Sequence, residues 1–85
     1  MPLAGNQYFV NVAYQHQLKG NLLTAISLYE EILITDPLNV DVIRNLAVAY
    51  RGINDIEKAL QLYQLATENS IRDHNIFLNY ANLLW

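Results

Sequence analysis

No cysteine occurs in the chain, which excludes disulfides, and no Cys/His cluster offers the spacing that a structural zinc needs. The same absence fits a reducing compartment, and the cytoplasm is the default expectation. Basic residues are few, five against eight acidic ones, for a net charge of −3. Attraction to a phosphate backbone grows with the number of phosphates neutralised, so no nucleic-acid partner is expected. Long apolar runs are missing as well. Apolar residues make up 53 % of the sequence, yet Asn, Gln and charged residues interrupt them everywhere. No stretch approaches the ~20 consecutive apolar residues of a membrane span, so no membrane-spanning segment is expected. Met1-Pro2-Leu3-Ala4-Gly5 has neither a basic n-region nor an apolar h-region, which argues against a secretory signal.

Catalytic signatures are lacking too: the chain has no HExxH, P-loop, GxGxxG or GxSxG. Glu30 and Glu31 are neighbours on a helix, pointing about 100° apart, so they cannot converge on one bond and read as a solvated face. His16 has two readings, a general base or ligand and a packed core residue, and its place in the repeat described next favours packing. His74 stands at a helix start and is expected to be exposed. The expectation is a protein with no enzymatic activity, no cofactor and no metal. A chain of 85 residues hides only roughly 60–65 % of its unfolded surface, so its stability must come from regular helix packing or a partner.

What is present is a repeat. Sliding the sequence by 34 residues superimposes Phe9, Ile43 and Phe77, then Val12, Leu46 and Tyr80, while Ala13, Ala47 and Ala81 are identical. Ala25 recurs as Ala59 and Tyr29 as Tyr63. A fixed period of this length is the mark of a stacked helical array. Inside each copy the apolar residues step at helical spacing, Phe9, Val12, Ala13 and His16 like Ile43, Leu46, Ala47 and Tyr50. A second series, Leu22, Ala25, Ile26, Tyr29 and Ile32, matches Ile56, Ala59, Leu60, Tyr63 and Ala66. Each copy is therefore two amphipathic helices. The small residues let helix axes approach at the short end of the usual range of about 8–10 Å, and Phe9, Ile43, Phe77, Tyr29 and Tyr63 are expected to fill the space between hairpins.

The punctuation agrees. Gly20-Asn21 separates the first two helices, with glycine in the left-handed conformation and asparagine as the next cap. Asn54-Asp55 holds the same place 34 residues on, where asparagine tolerates the left-handed region, and Gly52 loosens the turn. Asp36-Pro37 closes the second helix. Asn39 and Asp73 are expected N-caps. Helices are predicted near 6–19, 22–35, 40–52, 56–69 and 74–84. The predicted organisation is a tail over 1–5, full repeats over 6–39 and 40–73, and the first helix of a third repeat over 74–85.

The segment Asn45-Leu46-Ala47-Val48-Ala49-Tyr50, followed by Asn54-Asp55-Ile56-Glu57-Lys58-Ala59-Leu60-Gln61-Leu62-Tyr63, resembles the tetratricopeptide repeat (TPR) signature almost throughout. The first copy keeps Gly20, Ala25, Tyr29 and Asp36-Pro37. Departures are His16 for an aromatic, Ile32 for an alanine and Ile71 for a proline, and they bear on local packing. The resemblance implies an all-α fold, a TPR-type solenoid of five antiparallel helices in a right-handed superhelical stack, whose first helices line a concave binding surface.

On that surface Asn11, Asn45 and Asn79 recur at intervals of 34 residues. A carboxamide donates and accepts, so a row of three can pair with the backbone of an extended peptide. The spacing resembles the asparagine ladder in the TPR arm of the O-linked N-acetylglucosamine transferases, which implies peptide-backbone capture. Asparagine is also the family's common residue there, where it bonds a neighbouring helix, and both readings stand. Gln7, Val10, Tyr14, Arg44, Val48, Arg51, Leu78 and Asn82 would share the groove. A rival family mode is the carboxylate clamp for the acidic tails of heat-shock chaperones. Val10, Tyr14, Asn75 and Asn79 replace its charged and amide residues and Asn45 alone fits, so no tight binding to chaperone tails is expected.

The expected function is thus a non-catalytic scaffold for a peptide or protein partner. Two alternatives are carried. Phe77, Tyr80, Leu84 and Trp85, with Ile76 and Leu83, leave apolar surface on the last helix, and a homodimer through that end would cover it. The chain also reads as an N-terminal arm of a larger enzyme such as a glycosyltransferase, by analogy alone.

Overall fold

The computed structural model describes the backbone of residues 2–84 and the side chains of residues 7–84. These residues form five α-helices and no strand: α1 (Pro2–Leu18), α2 (Leu22–Thr35), α3 (Val40–Gly52), α4 (Ile56–Glu68) and α5 (His74–Leu84). The observed bounds of α2 to α5 fall within one residue of the spacing-based expectation. The first helix starts at Pro2, ahead of the expected residue 6, so most of the segment expected as a tail is helical. Proline suits a first helical position, where its missing N–H has no partner to lose.

Three of the connections end a helix in the same way. Gly20 has φ +85°, its N–H donates to the Gln17 carbonyl, and the next N–H, of Asn21, donates to the His16 carbonyl at 2.9 Å. Asn54 at φ +66° and Ser70 at φ +57° repeat this pattern, with Asp55 N–H to the Tyr50 carbonyl at 2.8 Å and Ile71 N–H to the Ala66 carbonyl at 2.9 Å. Each left-handed residue thereby satisfies carbonyls that the helix leaves unpaired. Ser70 was not foreseen for this role. Asn39 and Asp73 cap as expected, accepting from Val42 N–H and Ile76 N–H at 3.1 Å each. Asp55 caps α4 by accepting from Lys58 N–H at 3.3 Å. Asn21 departs from expectation: its carboxamide lies 3.4 Å from the His16 ring Nδ1 and makes no cap bond. Gly52 also has a different role, as the last residue of α3. A Cβ there would stand 2.8 Å from Leu22 Cδ1, so its small size admits α2.

Helices α1 and α2 pack as one hairpin and α3 and α4 as the next; α3 also lies on both α2 and α1, and α5 lies on α4. Ala13, Ala25, Ala47 and Ala59 are all fully buried at these crossings, as the close-approach argument requires. Tyr29 and Tyr63 are buried between them. Val42, Ala49 and Ile76 join the core without having been singled out for it. The equivalent positions do not share one fate, however. Ile43 is 0 % exposed, whereas Phe9 and Phe77 are 50 % and 46 % exposed and do not fill inter-hairpin space. Ala81 is exposed as well. The reason is the neighbours: α3 packs on α1, α2 and α4, whereas α1 packs mainly on α2 and α5 mainly on α4. His16 is half-buried where its counterpart Tyr50 is buried. Among the described residues no helix is long and apolar enough to cross a membrane.

Candidate functional site

Between α1 and α3 runs a groove of about 320 Å³ lined by Gln7, Val10, Asn11, Tyr14, Asp41, Arg44 and Asn45. It forms where α1 and α3 lie side by side and present the same repeat positions, Gln7, Val10 and Asn11 on α1 matching Asp41, Arg44 and Asn45 on α3. Six of these seven residues were expected to share a surface. Asp41 was missed, although a carboxylate three residues before an arginine on a helix is the spacing of an ion pair.

The structure gives the residues unequal freedom. Val10 is buried, so it makes the floor of the groove and not an open flank, because α3 lies across it. Gln7 Nε2 donates to Asn11 Oδ1 at 3.1 Å, both exposed. Arg44 is not free: its guanidinium donates to Asp41 at 2.7 Å and to Asp73 at 2.8 Å. Since Asp73 also caps α5, Arg44 ties the start of the fifth helix to the middle of the third. The Asn45 carboxamide makes no hydrogen bond among the described residues; its backbone carbonyl accepts from Gln17 Nε2 at 3.1 Å. Tyr14 is exposed at the groove wall. The surface therefore offers three carboxamides, a phenol and a neutralised arginine, a set suited to hydrogen-bonding amide groups and poor in net charge.

The remaining candidates lie elsewhere. Val48, Arg51, Leu78 and Asn82 are exposed and Asn79 is half-buried, and none of them lines this groove. Of the residues considered for self-association, Tyr80 is half-buried and stacks on Tyr63 with ring centres 5.7 Å apart, and Ile76 is fully buried. Tyr80 is thus held against α4 and Ile76 belongs to the core, so the open apolar surface of α5 is narrower than expected: Phe77, Leu78 and Leu84. Trp85 lies outside the described residues.

A second groove, of about 420 Å³, was not anticipated. Leu33, Leu62 and Leu65 line it over a floor of Leu46 and Tyr50, with Glu30, Lys58 and Gln61 at its edge. Lys58 Nζ sits 5.3 Å from the centre of the Tyr50 ring, a cation–π distance. Leu28 and Leu62, one period apart and outside the alanine face, were the available signal. Glu31 borders a different hollow with Phe9, Leu28, Ile32 and Thr35, so the adjacent Glu30 and Glu31 do diverge.

Buried phenols distinguish the repeats. Burial, and secondarily Tyr14 nearby, pushes the Tyr29 hydroxyl up to about 12; it donates to Gln17 Oε1 at 2.8 Å. Tyr63 is also pushed up by burial, against smaller lowering effects of the Arg51 charge and the Asn79 carboxamide. Asn79 is thus near, yet the Tyr63 hydroxyl forms no hydrogen bond of ordinary geometry among the described residues.

Compared with known proteins, a family model described as tetratricopeptide repeat matches residues 18–70, more than half of the chain. No curated protein and no solved structure gives a significant match.

Proposed function

Because the chain belongs to the tetratricopeptide repeat family, whose repeats generally mediate protein–protein interaction, we propose that it is a non-catalytic scaffold holding an extended segment of a partner protein along the α1–α3 groove. The observation that carries this reading is the groove itself: the Asn45 carboxamide, without a hydrogen bond among the described residues, stands beside Asn11, Gln7 and Tyr14, and an extended peptide brings the amide groups such side chains satisfy. The neutralisation of Arg44 by two carboxylates accords with the expectation that acidic chaperone tails are not gripped there. Asn79 would extend the row on α5, as in the asparagine ladder that the spacing resembles. The cytoplasm is the compartment proposed with it. A pull-down comparing the wild type with the triple variant Asn11→Ala, Asn45→Ala, Asn79→Ala tests the reading. Lost recovery at an unchanged melting temperature supports it; equal recovery removes the groove from the function.

A second reading has its own observation. Phe77, Leu78 and Leu84 are exposed on α5, beside the exposed Ala81. Pairing of two copies through this strip would bury it, and light scattering across concentration would then show a dimer that Leu84→Glu dissolves.

A further inference from the structure

The outer faces of the two second helices differ. On α2 the residues turned away from the buried Ala25, Tyr29 and Ile32 are Leu23, Ser27, Glu30 and Ile34, whose spacing keeps them on one helical stripe. One period on, the same stripe of α4 is Glu57, Gln61, Gln64 and Glu68. The repeat therefore needs nothing apolar at these places. Yet Leu23 and Ile34 are 72 % and 78 % exposed, the two most exposed large apolar side chains among the described residues.

Beside this ridge lies a hole. The groove of about 420 Å³ has Glu30 and Leu33 on its α2 wall and Lys58, Leu62 and Leu65 on its α4 wall. Neither Glu30 nor Lys58 takes part in an ion pair among the described residues, and the Lys58 ammonium stands 5.3 Å from the centre of the Tyr50 ring. One face thus carries an apolar ridge, an apolar hole, an anion and a cation, and each complements another. A basic helix from a different protein would satisfy Glu30 and oppose Lys58, and an acidic one the reverse. A second copy of the same face satisfies both at once, because in a two-fold pair each contact is made twice with the roles exchanged.

The period also supplies a register. Ser27 is the small residue of the stripe, so two α2 helices approach most closely with the two-fold axis beside it. Antiparallel packing about Ser27 sets Leu23 opposite the level of Glu31, which one period on is Leu65, and Glu30 opposite the level of Thr24, which one period on is Lys58. A single choice of axis brings the ridge to the hole and the anion to the cation. We propose that two copies of the chain pair through the outer face of α2, Leu23 of each entering the α2–α4 groove of the other and Glu30 of each meeting Lys58 of the other. This interface is separate from the α5 strip. It also shares no residue with the α1–α3 groove, so the pair leaves both of those grooves open.

Light scattering and sedimentation equilibrium of the full chain across concentration test the pairing. The wild type is expected to rise from the mass of one copy to that of two. Leu23→Glu installs the residue that the second repeat carries as Glu57, so it should keep the melting temperature while weakening the pair by about tenfold or more. Glu30→Lys and Lys58→Glu each set like charges against one another twice, and each alone should weaken it by a similar factor. Mixed one to one, these two variants regain opposite charges at both contacts and should pair as tightly as the wild type. A wild type that stays monomeric at every concentration overturns the proposal and leaves the face to a different protein. A dimer that Leu84→Glu dissolves and Leu23→Glu leaves intact overturns it in favour of the α5 strip. A mixture of the folded charge variants that pairs no better than either alone overturns it as well.

Discussion

Helices α3 and α5 carry matching residues one period apart, yet they live in different surroundings. Ile43 and Ala47 are fully buried on α3, whereas Phe77 is half-exposed and Ala81 exposed on α5. The larger side chain is the less buried one, so residue type does not decide burial here. Enclosure does: α3 meets helices from both hairpins, and α5 meets α4. In a linear array stability resides in interfaces between neighbours, and an element with one interface has a smaller share of it.

The sharpest way to break this comparison is to truncate equivalent positions. Ile43→Ala should cost about 2–5 kcal/mol, because it leaves a cavity in a closed site. Phe77→Ala should cost only about 1 kcal/mol, since much of that ring already meets water. Chemical denaturation measures both, and equal losses would refute the enclosure argument.

The Tyr29 hydroxyl gives a pH axis. In the unfolded chain it ionises from the ordinary value of 10.0, while in the fold burial holds it protonated to about 12. The unfolded state therefore releases its proton first. Stability from this group is complete below pH 10, is lost as pH rises towards 12, and amounts to roughly 2–3 kcal/mol in total. Denaturation curves across that range should show the decline, and Tyr29→Phe should flatten it.

Enlarging the alanines tests the same contrast from the opposite direction. Ala47→Leu should overpack α3 and cost roughly 1–3 kcal/mol. Ala81→Leu, one period on, should stay within about 0.5 kcal/mol. Melting temperatures that fall equally would show that Ala81 also sits at a tight crossing. The smallest contrast lies in the caps. Asn39→Ala should cost about 1 kcal/mol, because its side chain accepts from Val42 N–H, and Asn21→Ala only a few tenths, because Asn21 caps nothing.

Much of this architecture was legible in the sequence because periodic features repeat at fixed offsets. The bounds of α2 to α5, the buried Ala13, Ala25, Ala47 and Ala59, the buried Tyr29 and Tyr63, the left-handed Gly20 and Asn54 and the caps Asn39 and Asp73 all follow from local chemistry. What escaped depends on neighbours across space. Phe9 and Ile43 are interchangeable to a pattern search, and the presence of a helix on the far side is not written into either residue. Ser70 escaped because serine carries no strong preference for a left-handed backbone; with isoleucine following it and no proline, α4 ends by a left-handed residue where α2 ends at Asp36-Pro37. For the candidate site, the grouping of Gln7, Asn11, Tyr14 and Asn45 was readable from the period. The capture of Arg44 by Asp73, 29 positions away, was not, nor was the buried Tyr63 hydroxyl left without a hydrogen bond among the described residues.

Native-state hydrogen exchange, read helix by helix, addresses the stacking claim at its root. A stack held by neighbour interfaces predicts the slowest amides in α3, at Leu46 to Tyr50, with faster exchange in α5 despite its matching residues. Protection in α5 equal to or above that of α3 would contradict the account.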